Sequence, residues 1–423
     1  MSLRKIIYKY KIRLSILVVV VVAFLLCLPE PIFNTPTSTI LNDRNGKLLG
    51  AKIADDGQWR FPLIDSVPSK FEDCILYFED EYFYWHPGIN PVSVFKAFIQ
   101  NIKAGDIVRG GSTITLQVIR LSREGKPRTI YEKLIEFVLA LRLELRYSKE
   151  DILKLYSSHA PFGGNVVGLE AASWRYYNRP PNMLSWGESA TLAVLPNAPA
   201  LIYPGKNQHK LLEKRNRLLD KLASKEIIDP MSCELAKMEP LPGKPNALPQ
   251  ISPHLLDRSI VEGQKGKRII STIDTDIQQK ANRLVAKYYK QYVNNEIYNA
   301  ALLVIDVKTK QVLAYVGNTP SEYEETGRDV DMITAKRSSG SILKPFLYTW
   351  MFNDGELLPK MLLPDIPTQF YGFAPKNFNE KYDGAVPADN ALARSLNIPA
   401  VRLLQDYGIE TRGKGGGHQK CNL

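Results

Sequence analysis

The sequence predicts a multidomain chain: an apolar N-terminal helix, a mainly α-helical domain, and then an α/β domain. Three observations carry this. Leu14 to Leu28 is apolar except for Ser15 and follows a basic, acid-free tail over residues 1–13. From Phe71 to about Leu222 apolar residues recur at helical spacing, interrupted by short glycine loops. Beyond a stretch rich in Pro and charge at 224–268, strand-like and helix-like segments alternate. With 423 residues, 44% of them hydrophobic, there is material for two cores.

The formal net charge of +11 points to an anionic partner such as an anionic lipid or a phosphorylated substrate. No nucleic-acid partner is expected, because zinc-finger spacing, an aromatic RNA-binding signature and a long basic run are all missing. Cys27, Cys74, Cys233 and Cys421 are scattered without a Cys-x-x-Cys, so neither a disulfide framework nor a zinc site follows. The five histidines are equally dispersed.

Residues 14–28 are the expected transmembrane anchor, with residues 1–13 as a cytoplasmic basic tail. A cleaved signal peptide is the competing reading, but no small-x-small site follows the apolar run. An uncleaved anchor places everything after about residue 30 outside the cytoplasmic membrane. Next, residues 37–65 alternate around Asn45-Gly46, which predicts a hairpin of Ser38–Leu41 and Lys47–Ile53.

The stretch from Glu79 to Gly88 sets three carboxylates before four aromatics and a His-Pro-Gly. Ser66-Val67-Pro68 is a helix-start signal, and Phe71, Ile75 and Phe78 then keep helical spacing. Glu79 is therefore expected at a helix C-terminus, where the dipole and nearby apolar residues disfavour its charge. Both effects raise a carboxyl pKa toward the range of a general base. The competing reading is a solvated acidic helix end.

Arg109-Gly-Gly-Ser-Thr-Ile-Thr-Leu-Gln117 combines close backbone approach with a capped helix start, a pattern that suits a phosphate or serves only to begin a helix. Residues 101–150 hold ten Lys/Arg against six Asp/Glu, an excess beside Glu79. On the helix expected over Thr129–Tyr147, Ile130, Leu134, Phe137, Val138, Leu141 and Leu145 share one face. Ile135, Leu139 and Leu143 form a second apolar face. Lys133, Glu136, Ala140 and Glu144 form a seam between them, expected to be the exposed polar strip, either a surface pair or the lining of a cleft.

Glu79-Asp-x-x-Phe83-x-x-His86-x-Gly88, Gly110-x-Ser-Thr-Ile-x-x-Gln117 and Arg128-Thr-x-x-x-Lys133-x-x-Glu136 occur in order. Lys149-x-x-Ile152-Leu-x-x-Tyr156 and Gly168-x-x-Ala171-Ala-x-x-x-Tyr-Tyr177 follow, and Ala190-x-Leu-Ala-x-Leu-Pro-x-Ala-Pro199 continues the series. Five ordered blocks make residues 40–223 resemble the family 51 peptidoglycan glycosyltransferases. Two positions depart from the pattern: Glu132 stands where many members have Arg, and Ser158 where Asn is frequent.

The resemblance implies a mainly α, lysozyme-like glycosyltransferase domain that polymerises lipid II into β-1,4-linked glycan and releases undecaprenyl diphosphate. Lipid II and a polyprenyl-diphosphate-linked glycan would be its substrates, and the cytoplasmic membrane and other cell-wall synthesis proteins its partners. Glu79 would be the base. Lys133, Ser112, Thr113, Gln117 and Arg128 would hold the substrates and the departing diphosphate. Glu136 would orient these groups or help hold a divalent cation, magnesium or manganese, although no ligand set is evident. The apolar helices from Pro91 to Ile102 would dip into the membrane surface.

Downstream, 224–268 is the expected linker; Ile269–Ile273 a strand, Asp276–Tyr292 a helix, and Ala300–Val307 with Val312–Val316 a hairpin. Ser341-Ile-Leu-Lys344, with Ser395-Leu-Asn397 behind it, resembles the penicillin-binding transpeptidases, with Ser341 as nucleophile and Lys344 as its base. The whole chain is thus similar to the bifunctional class A penicillin-binding proteins, nearest the 1C type. No Lys-Thr/Ser-Gly follows Asn397, and Lys308-Thr309-Lys310 lies upstream without the glycine. The expectation is a truncated, incomplete α/β transpeptidase domain over 269–423, its transpeptidation lost and Ser341, Lys344, Ser395 and Asn397 vestigial. The rival classes are a serine acyl-transferase with an idle first domain and a non-enzymatic membrane-anchored scaffold.

Overall fold

A computed structural model of the chain describes residues 3–92, 95, 99, 111–123, 126–127, 129–197, 204–321, 324–370 and 372–408. Arg109, Gly110, Arg128, most of the expected helices of 91–102, and the glycine-rich tail lie outside the described residues. The chain divides into two compact units, residues 1–334 and 335–423.

The first unit begins with α1 (Leu3–Leu26), whose side chains from Ile12 to Leu26 are almost all exposed. Among the described residues, no helix is long and apolar enough to cross a membrane. The end of the expected anchor also differs: Leu28 lies beyond α1 and is buried, with Ile32, in the core of the helical domain.

The hairpin forms as β1 (Thr39–Asn42) and β2 (Leu48–Lys52), antiparallel around the Asn45-Gly46 turn. A short β3 (Trp59–Arg60) pairs with β4 (Val166–Val167). Helix α2 (Ser69–Glu79) starts at Pro68 and buries Phe71, Cys74 and Ile75. It packs on α7 (Trp186–Val194), which is buried along almost its whole length and started by a Ser185–Glu188 capping box. The other core helices are α3 (Ile114–Ser122), α4 (Ile130–Glu144), α5 (Lys149–His159), α6 (Leu169–Tyr177) and α8 (Gln208–Ser224). Together they close one apolar core around Phe71, Leu116, Tyr156 and Leu192.

The expected linker is partly built structure. Helix α9 (Pro230–Met238) packs on α7 and α8, and α10 (Pro253–Ser259) follows it. Fully buried Arg215 donates to the Glu239 carbonyl at 2.6 Å and to the Lys237 carbonyl at 2.7 Å. A Cβ at Gly187 would stand 2.6 Å from the Ala236 carbonyl oxygen, so glycine permits this approach. Pro at the first turn of α9 starts a helix, which composition alone renders as a spacer.

The expected strand is β5 (Arg268–Ile270), which adds in parallel to β1. It makes a three-stranded sheet with a hairpin that lies more than two hundred residues earlier. Helix α11 (Thr275–Tyr292) and the antiparallel pair β6 (Leu302–Ile305) and β7 (Val312–Val316) complete the unit. In the second unit, α12 (Lys344–Asn353), α13 (Ala388–Ala393) and α14 (Asn397–Tyr407) enclose a small core with the pair β8 (Leu362–Asp365) and β9 (Gly384–Pro387).

Helix α4 corrects the sequence reading. Its buried residues are Glu136, Leu139, Ala140 and Leu143, so part of the polar seam faces inward. Ile130, Leu134, Val138, Leu141 and Leu145 are the exposed ones. Periodicity finds the stripes but not which of them the core takes, because buried partners can satisfy a polar seam.

Candidate active site

The three consecutive carboxylates go to three environments. Glu79 ends α2, because Asp80 leaves the helical region at φ −157° and ψ 75°. Its Oε2 accepts a 2.8 Å hydrogen bond from Gln117 Nε2 on α3, whereas its Oε1 is buried without a partner. Glu79 lines a cavity of about 1050 Å³ whose wall also includes Ser112, Thr113, Gln117, Arg120 and Asn197. Burial pushes the Glu79 carboxyl up; Gln117, Lys214 and Asn197 draw it partly back, and Asp80 adds to the rise. Tyr156 packs nearby on α5, its phenol held well above the usual range by burial and then by the Glu79 charge.

Asp80 turns inward. His86 Nε2 lies 3.0 Å from both of its oxygens, and Oδ2 also accepts from the Ile114 amide at 3.2 Å. One carboxylate therefore pins the following loop and meets the positive end of α3. Lys149 Nζ donates to the His86 carbonyl at 2.7 Å and to Glu144 Oε1 at 2.8 Å, and stands 4.4 Å above the Phe83 ring. Thr115 reaches the same Glu144 oxygen at 2.5 Å, and Thr113 donates to the Gly88 carbonyl at 2.5 Å. Gly88 has φ +85°, and a Cβ there would meet Glu144 Cγ at 2.9 Å. Glu81, the third carboxylate, bridges Lys221 and Lys225 at 2.9 and 2.8 Å.

On the cavity wall Thr113 caps α3, and Ser112 Oγ accepts from Arg120 Nη2 at 2.9 Å. Arg120 Nε also donates to Glu136 Oε1 at 3.3 Å, and Lys133 Nζ to Glu136 Oε2 at 3.0 Å. Buried Glu136 thus joins Lys133 to Arg120, whose other hydrogen bond reaches Ser112 just ahead of α3. Such an array can take a doubly charged oxyanion. The sequence reading brought together Glu79, Ser112, Thr113, Gln117, Lys133 and Glu136; Arg128 lies outside the described residues.

That reading missed Arg120, Asn197 and Lys214. For Arg120 a signal existed: it lies three residues beyond Gln117 on the same helix and so shares its face. Asn197 and Lys214 carry no such mark, because a loop and a distant helix bring them in.

The two departures are now placed. Glu132 pairs with Arg123 beside the start of α4. Ser158 is buried, and its hydroxyl accepts from the Ile64 amide at 3.1 Å, so it supports the fold rather than the donor. Among the described residues, no three His, Cys, Asp or Glu side chains converge to hold a metal. Glu136, the expected helper of a cation, already neutralises Arg120 and Lys133 and does not fit that use.

In the second unit Ser341 is exposed in a short 3-10 turn, and α12 starts at Lys344. Lys344 Nζ donates to the Ser395 carbonyl at 2.7 Å, to Ser395 Oγ at 3.2 Å and to Asn397 Oδ1 at 2.7 Å. Desolvation draws its ammonium pKa down. Three of the four expected residues therefore converge; Ser341 makes no side-chain hydrogen bond to Lys344.

Residues 46–223 match the transglycosylase family model, and residues 300–415 match that of the penicillin-binding protein transpeptidase domain. The chain is 34% identical over 381 residues to penicillin-binding protein 1C of Escherichia coli (strain K12), covering 90% of this chain and 49% of that one. It is 31% identical to penicillin-binding protein 1B of Haemophilus influenzae, covering 85% and 49%. The chain thus spans about half the length of these curated relatives. A crystal structure of penicillin-binding protein 1A from Haemophilus influenzae aligns over 89% of this chain and 62% of that one, at 18% identity and a TM-score of 0.39.

Proposed function

We propose, for a chain that belongs to the class A penicillin-binding proteins, that its helical domain polymerises lipid II into β-1,4-linked glycan. The observation that carries the proposal is the state of Glu79. It is a carboxylate with one oxygen held, one oxygen buried and open, and a raised pKa, on the cavity that Ser112 and Arg120 also line.

In the proposed reaction the acceptor sugar's 4-hydroxyl gives its proton to Glu79 as its oxygen attacks the anomeric carbon of the donor. The new C–O bond forms on one face while the bond to the lipid diphosphate breaks on the other, and the electron pair leaves with the diphosphate. Configuration inverts, and no glycosyl-enzyme is formed. In this reading Ser112 and Arg120, on the cavity wall, stabilise the leaving charge, helped by Lys133, which Glu136 joins to Arg120, and by Arg128. Gln117 orients the base, and Glu136 positions the two cations. No step is routed through a metal ion.

The helical domain would work at the outer face of the cytoplasmic membrane with α1 as its anchor. Supporting this are the exposed apolar side chains of α1 and the exposed stripe of α4, faces that lipid would cover. No acyl-transfer step is proposed for Ser341, since the Lys344 ammonium is committed to Ser395 and Asn397.

The test is polymerisation of labelled lipid II by the membrane-inserted full chain and by its Glu79→Gln variant. Loss of about 100-fold or more in rate is expected for removal of a general base. Equal polymer from both proteins would overturn the assignment of Glu79, and polymer from neither would favour a scaffold.

A further inference from the structure

Glu79 has a second carboxamide near it on the cavity wall, that of Asn197, and this carboxamide is itself held by a cation. Asn197 lies just past α7, on the wall of the Glu79 cavity. Lys214, on α8, donates from Nζ to Asn197 Oδ1 at 2.9 Å. With its oxygen turned to Lys214, Asn197 keeps its two amide hydrogens to offer elsewhere. It lies near enough to Glu79 to favour the ionised carboxylate, although no hydrogen bond to Oε1 is closed.

We propose that Lys214 is a positioning residue of this site: it grips Asn197 so that the amide N–H groups address the open oxygen of Glu79, and it supplies the cation that faces a buried base. The inference rests on Glu79 being that base. The arrangement is a cradle with two arms. Gln117 on α3 holds Oε2 directly, and Asn197, steadied by Lys214, stands at Oε1, where the acceptor hydroxyl must also arrive. An incoming hydroxyl can then give its proton to Oε1 while its own oxygen accepts from the Asn197 amide. That geometry would select an equatorial hydroxyl presented beside Asn197 over water entering at random.

The electrostatic half follows from the surroundings. Glu79 has Asp80 beside it in sequence, Tyr156 facing it from α5, Gln117 and Arg120 on α3, and Lys214 on α8. Arg120 is engaged by Glu136, and the nearby Lys221 and Lys225 are engaged by Glu81. Among the described residues Lys214 forms no ion pair within 4 Å, and its charge acts on Glu79. Arg217, the other cation felt by Lys214, pairs with Glu213. Desolvation and Asp80 both push the carboxyl toward its neutral form, which cannot take a proton; Lys214 opposes them.

The experiment measures kcat/KM for lipid II polymerisation against pH in the full chain and in Lys214→Met, Lys214→Arg and Asn197→Ala, with Glu79→Gln as control. Losing the cation raises the pKa of the base, so the acid limb of the Lys214→Met profile should move to higher pH by about 1 unit. The rate below the limb should fall about tenfold, with most of it recovered well above the limb. Lys214→Arg should keep the parent limb. Asn197→Ala should lower the rate at all pH values with a smaller shift. An unmoved limb in Lys214→Met would overturn the inference, as would a Lys214→Arg enzyme no better than Lys214→Met. Should Lys214→Met fail to fold in a thermal melt, the Asn197→Ala profile decides: an unchanged rate sinks the proposal. Activity surviving in Glu79→Gln would show instead that the reading beneath it is wrong.

Discussion

Two polar clusters start from adjacent residues at the end of α2, both reach the start of α3, and they are finished to different degrees. Around Asp80 the carboxylate is fully engaged: both of its oxygens hold His86, one also caps α3, and Lys149 joins the His86 carbonyl to Glu144, although the buried His86 Nδ1 has no partner. Around Glu79, one residue earlier, an oxygen is left open toward a cavity. The Asp80 cluster has the marks of scaffolding, because its buried carboxylate is satisfied at both oxygens and ties the loop to α3. The open one bears an unpaid desolvation penalty that a substrate hydroxyl would relieve. A carboxylate with one unpartnered oxygen, next to one with both oxygens engaged, is what separates the candidate base from its neighbour in sequence.

The sharpest way to break this comparison is to neutralise one carboxylate in each cluster. Glu79→Gln should abolish polymerisation while leaving stability intact or improved. The sign follows from the raised carboxyl pKa. A group that is harder to ionise when folded gives stability that is present below its unfolded pKa and lost as pH rises through the folded value. Near neutral pH the glutamine variant should therefore melt at the parent's temperature or above it, with the difference fading below the ordinary carboxyl pKa. A lower melting temperature at pH 7 would place Glu79 in the scaffold instead.

Asp80→Ala should do the opposite. It removes an anion that is buried with its histidine and leaves the Ile114 amide without its cap, at a cost of about 3 kcal/mol read by denaturant unfolding. A loss under about 1 kcal/mol would show the closed cluster to be ornamental. Gly88→Ala comes next. It forces a Cβ into the left-handed region against Glu144 Cγ at 2.9 Å and should cost roughly 1–2 kcal/mol. The smallest effect belongs to the pair outside both clusters. Breaking Arg123–Glu132 by Glu132→Ala should leave the melting temperature unchanged within error, since pairs at the surface contribute little.

Much of this was legible in one dimension. The end of α2 at Glu79, the capped start of α3 after Gly-Gly-Ser-Thr and the hairpin around Asn45-Gly46 all follow from local rules, and the structure places them there. Local rules failed in three places, each for want of a distant partner. The stretch 224–268 looks like a spacer until α9 finds α7 and the buried Arg215. The seam of α4 looks solvated until Arg120 meets Glu136 and Lys149 meets Glu144. Ser158 looks only like a departure from the family pattern until the Ile64 amide is found on it.

By itself the sequence determined which residues carry charge, the end of α2 at Glu79 and the capped start of α3, and the ordered set of acid, hydroxyl and cation on which the proposed chemistry rests. These depend on neighbours within a turn or two of chain, whose spacing is set by backbone geometry. Only the tertiary structure decided which of three adjacent carboxylates keeps an open oxygen, and that Asn197 and Lys214 stand beside it. The physical reason is that burial and long-range pairing come from packing between segments far apart in sequence, and a pKa depends on those surroundings more than on residue type.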